Sequence, residues 1–345
     1  MTARRIVSDR VHALAAYQPG EQPASGELLK LNTNENPYSA SPRVVEAIER
    51  GAATNLHLYP SPMADELRVR AAERYGVAPD QVLVGNGSDE LLALCLRACV
   101  VDGDVVSYAV PTYSLYRTLA AIAGADVVEV AAGAGEIPAA LPCDRARVTF
   151  VCTPGAPFGR SVDLDELGAL ARRSSGLVVA DEAYADFSRT TALSILDRHP
   201  NMLVLRSFSK SYSLAGLRLG LAFGASSLMA DLAKVKDSYN VSRLAIAAGV
   251  AALDDEDWTR RNVLRVCATR DRVGAALRAK GFRVHDSDAN FLWVDCSASG
   301  GGREVYDRLR AQGVLVRFFD APDLEHGVRV TIGTDEQMDR VLELL

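Results

Sequence analysis

The sequence predicts an α/β protein: a large domain with a mostly parallel sheet sandwiched by helices, plus a small α/β domain at the C-terminal end that also draws on the N-terminus. Three observations carry this expectation. Short apolar runs at 81–84, 105–109, 147–152, 177–180 and 202–205 break off into polar or glycine-bearing turns, as buried strands do when their loops gather at one edge of a sheet. Helical signals fall between these runs, as crossover connections require. The last part of the chain alternates short strands at 282–284, 291–294, 314–317 and 328–332 with a helix at 304–312. A length of 345 residues accommodates an arm and part of the small domain in 1–40, a large domain in 41–250 and the rest of the small domain in 251–345.

Each element has its own warrant. An amphipathic opening leads to a polar arm with Tyr17-Gln18-Pro19-Gly20 as a turn, and 29–42 (LKLNTNENPYSASP) reads as loop. In that loop Asn32, Asn34 and Asn36 either line a polar site or serve only as turn formers. Ser41-Pro42 is an N-cap followed by proline in the first helical turn. Tyr59-Pro60 precedes a helix at 64–75. The strand at 81–84 enters Gly85-Asn86-Gly87-Ser88-Asp89-Glu90 and a helix at 91–100, an arrangement whose free backbone N–H groups and positive helix end suit an anion. A nicotinamide dehydrogenase would use G-x-G-x-x-G here, but Glu90 occupies the third glycine position. The 105–109 strand delivers Pro111-Thr112-Tyr113, an aromatic that either packs or stacks on a ligand ring. The 177–180 strand closes on Asp181-Glu182-Ala183-Tyr184, and a carboxylate ending a buried strand needs a partner, either a helix N-terminus or a cationic N–H. Helical periodicity runs from about 244 to 280 with an interruption near 254–257.

Composition excludes several classes of function. Hydrophobic residues make up 48% and charged residues 24% of the chain, and the formal net charge is −6. No block of Lys or Arg stands out, so neither nucleic acid nor a membrane surface is an expected partner. The N-terminal arginines lack the apolar core of a secretory signal and no apolar run has the length of a span, so a cytoplasmic location is expected. Six cysteines contain no C-x-x-C pair, Cys95 and Cys99 share a helix face as packing residues, and the five histidines have no ligand spacing; no metal is implied.

The most informative stretch is 201–220, NMLVLRSFSKSYSLAGLRLG. An apolar strand ends in Ser207-Phe208-Ser209-Lys210-Ser211, with Gly216 and Arg218 following. A primary amine, several hydroxyls and a guanidinium at one strand end suit a phosphorylated aldehyde: the amine condenses with the carbonyl while Ser and Arg hold the phosphate. A surface cation is the ordinary fate of a lysine, yet only five of the 38 basic residues are lysines. Where any cation serves, this chain uses Arg, so Lys210 marks a position that needs a deprotonatable amine.

RSFSKSYSLAGLRLG resembles the cofactor-lysine segment of fold-type I pyridoxal-phosphate enzymes, most closely the histidinol-phosphate aminotransferase family. AAYQPG, LKLNTNENPY, the Tyr59-Pro60 step, the 85–90 turn, PTY, DEAY and GVRVTIGT extend the likeness over nearly the whole chain. The resemblance implies pyridoxal 5'-phosphate held by Lys210, which also moves the proton during transamination. It implies that Ser88, Asp89, Ser207, Ser209 and Arg218 hold the cofactor phosphate. Tyr113 would stack on the ring, Asp181 would keep the ring nitrogen protonated, and Tyr184 would donate to the 3'-oxygen. Tyr59 would reach a neighbouring subunit's cofactor phosphate, making a homodimer with 234–242 at its interface. Tyr17 and Arg317 would approach a substrate phosphate, while Asn34 and Arg329 would approach a carboxylate. The expected reaction transfers an amino group from an amino donor to a 2-oxo acid, with histidinol phosphate and 2-oxoglutarate as the leading pair. Another amino acid, or decarboxylation of a phosphorylated one, is the alternative on the same scaffold. A cofactor-binding regulatory module would need a nucleic-acid-binding domain. One departure stands out: the family's N-N-P-T-G has Ala156 in place of the asparagine that donates to the 3'-oxygen, and Phe158 in place of the threonine.

Overall fold

The apolar runs pair because each is too hydrophobic to leave either face in water. The computed structural model describes residues 6–14, 20–23 and 28–345. Among these the strands are β1 (Leu29–Lys30), β2 (Val82–Gly85), β3 (Val105–Val110), β4 (Asp126–Ala131), β5 (Ala146–Cys152), β6 (Leu177–Asp181), β7 (Met202–Ser207), β8 (Gly220–Gly224), β9 (Arg283–Val284), β10 (Phe291–Asp295), β11 (Val314–Leu315), β12 (Arg317–Phe318) and β13 (Gly327–Thr331). Seven of them form one sheet in the order β2-β8-β7-β6-β5-β3-β4. All neighbours are parallel except that β8 runs against both β2 and β7. Two reversals restore direction, so β2, β3, β5, β6 and β7 all end at the same edge, where ligand loops of an open α/β sheet lie.

Alternate residues of the central strands serve two cores. Val178, Ala180, Met202, Val204, Leu221 and Phe223 face one layer of helices, while Val179, Leu203, Leu205, Ala222, Val148 and Phe150 face the other. Burial on both faces explains why these strands read as continuous apolar runs rather than alternating ones.

A second sheet, β12-β13-β10-β9, is antiparallel. Leu292, Val294, Val328 and Val330 turn to a core shared with the helices Glu256–Ala279, Gly302–Ala311 and Asp335–Leu344. Phe291, Trp293, Arg329 and Thr331 lie at the intervening positions of the same strands. This face becomes a wall of the site.

Three sequence expectations change here. The run at 314–317 is not one strand: β11 pairs in parallel with β1, and after Val316 the chain enters β12 beside β13. Leu29-Lys30, read as loop, is therefore a strand, because β11 offers it a backbone ladder that no local pattern announces. The helix after β2 begins at Ser88 rather than at 91, so Ser88, Asp89 and Glu90 are its first turn. The helix Pro42–Ala52 starts as expected, with Ser41 Oγ accepting from Arg43 N at 3.1 Å. No helix of the described residues is long and apolar enough to cross a membrane.

Candidate active site

The strand ends deliver the site. Lys210 follows β7, and its Nζ donates to the Thr33 carbonyl at 3.1 Å and lies 5.7 Å from the centre of the Tyr184 ring. Burial, with the Arg329 guanidinium nearby, pushes the amine down to about 8. The side-chain amide of Asn36 donates to the carbonyls of Lys210 (3.0 Å) and Ser211 (3.2 Å), fixing the lysine turn from outside. On its other side Ser211 donates to Asp186, which also pairs with Arg206 at 3.2 Å, and Arg206 reaches Glu182 at 3.5 Å. The lysine turn and the loop after β6 are thus one polar network.

Asp181 ends β6 and is 3% exposed. Its Oδ2 accepts from the Tyr116 hydroxyl at 2.7 Å, and its Oδ1 is buried with no hydrogen-bond partner. Burial pushes its carboxyl up to about 6, against the lowering effect of Tyr116. Tyr184 accepts from the Asn34 amide at 2.9 Å, which leaves its own hydrogen free to donate, and burial pushes its phenol up to about 12. Asn34 takes the left-handed conformation (φ 59°) that asparagine tolerates, and its Oδ1 accepts from Thr331 at 3.0 Å. With both ends of its amide engaged, Asn34 is placed to orient Tyr184.

Beside them, an anion cradle forms where β2 meets the helix Ser88–Cys99. Gly87 (φ 83°) precedes the helix, and a Cβ built on it would meet Arg218 Nη2 at 2.6 Å. Gly220 closes the other side: its Cβ would come within 2.6 Å of the Ser88 nitrogen. Arg218 donates to Asp89 at 3.1 Å and to Ser209 Oγ at 3.4 Å, and Ser207 Oγ accepts from the Ser209 nitrogen at 3.1 Å. Tyr113 donates to the other Asp89 oxygen at 3.1 Å, so the aromatic after β3 and the arginine after β7 meet on one carboxylate.

The small sheet supplies cations. Arg317 of β12 stands directly opposite Arg329 of β13, and Trp293 of β10 opposite Arg329 on the other side. Arg329 donates to the Asn32 carbonyl at 3.0 Å. Gly20 passes near Arg317, with a Cβ there 3.7 Å from Nη1; Tyr17 lies outside the described residues. Tyr59 is elsewhere: 77% exposed, its ring stacks on Tyr239 at 4.4 Å on the outer surface.

The turn after β5 carries Phe158 onto the small sheet, stacked on His285 at 4.9 Å and edge-on to Trp293 at 5.5 Å. Sequence reasoning missed that contact, and it missed Tyr116, whose position one helical turn after Tyr113 was the only available signal.

The model of the family described as aminotransferase class I and II matches residues 26–345. The chain belongs to this family. It is 43% identical over 338 residues to histidinol-phosphate aminotransferase 1 of Nostoc sp., covering 97% of this chain and 96% of the relative. A histidinol-phosphate aminotransferase of Geotalea uraniireducens is 42% identical, covering 96% of each. Among solved structures, histidinol-phosphate aminotransferase from Sinorhizobium meliloti in complex with pyridoxal-5'-phosphate superposes with a TM-score of 0.88 at 25% identity, over 99% of this chain and 97% of that one.

The protein is therefore an aminotransferase dependent on pyridoxal phosphate, and its residues fit that cofactor. The partnerless Asp181 Oδ1 suits a pyridinium N–H, and the glycine-lined cradle at Ser88 with Arg218 suits a phosphate. When bound, pyridoxal phosphate supplies an aldehyde for amine capture and a protonated ring as electron sink.

Proposed function

We propose that this aminotransferase exchanges the amino group of histidinol phosphate with 2-oxoglutarate, as a cytoplasmic homodimer. The observation that carries the substrate assignment is the in-register pair Arg317 and Arg329. Like charges directly opposite across a ladder are unfavourable, so the pair fits a pocket whose ligands bring anions. Histidinol phosphate brings a phosphate, assigned to Arg317 with Tyr17; glutamate brings an α-carboxylate, assigned to the planar fork of Arg329. The names of the relatives from Nostoc and Geotalea support the same choice.

In this reading the division of the chain at residues 40 and 250 separates cofactor-holding strand ends from the cationic wall. Ser88, Asp89, Ser207, Ser209 and Arg218 hold the cofactor phosphate. Tyr113 covers the ring, Asp181 holds a proton at the ring nitrogen, and Tyr184, oriented by Asn34, donates to the 3'-oxygen. Lys210, neutral at lower pH than an ordinary lysine, takes the proton from the substrate Cα and returns it to the cofactor carbon. Tyr59 and Tyr239 stack within an exposed apolar surface that includes Leu56 and Leu58. Such a surface fits a second copy, whose cofactor phosphate Tyr59 would reach.

Half-reactions of the purified holoenzyme with a panel of amines, followed by loss of cofactor absorbance, test the substrate assignment. Histidinol phosphate and glutamate should both discharge the absorbance. Turnover with glutamate and an aromatic amino acid, but not with histidinol phosphate, would overturn it.

A further inference from the structure

Asp181 receives one side-chain hydrogen bond among the described residues, from Tyr116. Tyr116 belongs to the helix Leu115–Ala123 and is fully buried. Its ring stacks on Phe150 of β5 at 4.6 Å with the planes 12° apart, and Tyr108 and Tyr113 each meet it edge-on at 5.7 Å. The phenol is thus held by packing, with its oxygen 2.7 Å from Asp181 Oδ2. The other titratable groups that act on or feel this carboxyl are Asp89 at the start of the Ser88–Cys99 helix, Cys152 at the end of β5, and Tyr184. None of these is a cation.

We infer that Tyr116 is a positioning residue for the transamination: by donating to one oxygen of Asp181 it keeps that carboxylate ionised and turned so that the other oxygen meets the cofactor's ring nitrogen. The inference rests on the assignment of Asp181 to that nitrogen. A carboxylate in an apolar setting without a cation takes up a proton readily, and once protonated it no longer stabilises a proton on the ring. A donor that engages both oxygens would also fail, because it would compete with the ring N–H. Tyr116 engages one and leaves Oδ1 without a partner. Burial and the adjacent carboxylate push its phenol well above its ordinary 10, so it remains a donor throughout the working range.

The test is the dissociation constant of pyridoxal phosphate from the full-length protein between pH 5 and 8, measured by fluorescence titration. Wild-type binding should weaken as the pH falls through about 6, where Asp181 protonates. Tyr116→Phe keeps the ring and loses the hydroxyl, so that break should move up by about one pH unit, with affinity about twofold weaker at pH 7 and about tenfold weaker near pH 5. Tyr108→Phe removes a neighbouring buried phenol, one that donates to Glu129 rather than to Asp181, and should leave the break in place. Thermal melting without cofactor establishes that each variant is folded. Asp181→Asn should abolish the break. If Asp181→Asn instead leaves both affinity and break unchanged, the assignment of Asp181 and the inference fall together. If it abolishes the break while Tyr116→Phe titrates like wild type, or if Tyr108→Phe moves the break as far as Tyr116→Phe, the inference alone falls.

Discussion

Mixing the cofactor-free protein with pyridoxal phosphate across a pH series should reveal the state of Lys210, because only a neutral amine attacks an aldehyde. Burial and the Arg329 guanidinium push Lys210 down to about 8 from the 10.5 of an ordinary lysine, while Glu35 and Asp89 pull the other way. At pH 7 about one molecule in ten then carries a neutral amine, against roughly one in three thousand for an ordinary lysine, an advantage of roughly 300-fold. The capture rate, followed by stopped-flow absorbance from pH 6 to 10, should rise about tenfold per unit and flatten above about 8. In Arg329→Gln the midpoint should move up, because a neighbouring cation no longer opposes protonation, yet it should stay below 10.5 because burial is the larger cause. A wild-type rate still climbing at pH 10, or a midpoint that ignores Arg329, would refute the electrostatic argument.

Arg317→Ala should raise KM for histidinol phosphate about ten- to a hundredfold, the loss of one charge-assisted contact of roughly 1.5–3 kcal/mol, while sparing the glutamate half-reaction; steady-state kinetics with each substrate decides. Dilution that separates the proposed dimer should abolish activity, since Tyr59 would no longer reach its partner's site, and a fully active monomer in sedimentation would count against that role. Ala156→Asn should restore a donor to the cofactor's 3'-oxygen and lower the proton affinity of the Lys210 nitrogen in the holoenzyme by about one pH unit, read by absorbance titration. A cavity of about 50 Å³ lined by Thr112, Ala156 and Phe158 adjoins the new side chain, and coincident titration curves would mean that the oxygen is already satisfied.

What the sequence disclosed was what chemistry concentrates locally. Lys210 was legible because its neighbours are hydroxyls and its chain avoids lysine; Asp181 was legible because a carboxylate ending a buried strand demands an explanation. The seven-stranded sheet was legible in its doubly buried strands, whose apolar runs stand out. β4 was harder to see, since it lies at the sheet edge with only part of its surface covered, and β1 owes its existence to a ladder with β11, far along the chain. Tyr116 and Phe158 belong to the same class: their partners, Asp181 and His285, come from other elements, and no periodicity encodes them. The family likeness pointed to Ala156 as a missing donor, but only the fold shows that Phe158, two residues on, instead stacks against the small sheet.

The 32–36 loop joins these observations into one electrostatic device. Asn32 and Thr33 are adjacent, and their carbonyls accept respectively from Arg329 and from the Lys210 amine. Two successive peptide units therefore hold the proposed carboxylate clamp beside the proposed base, while Asn34 and Asn36 on the same loop fix Tyr184 and the backbone of the lysine turn. Proximity of the two cations is what lets Arg329 depress Lys210. Under the proposed roles, the guanidinium lowers the proton affinity of the amine before a substrate carboxylate arrives, which favours capture of the cofactor. A substrate carboxylate seated on the same guanidinium offsets its charge and raises the proton affinity of Lys210 at the moment when that amine has to take a proton from Cα. With those roles, the asparagine-rich loop, which by composition could have been nothing more than a set of turns, would tie substrate occupancy to the basicity of the lysine.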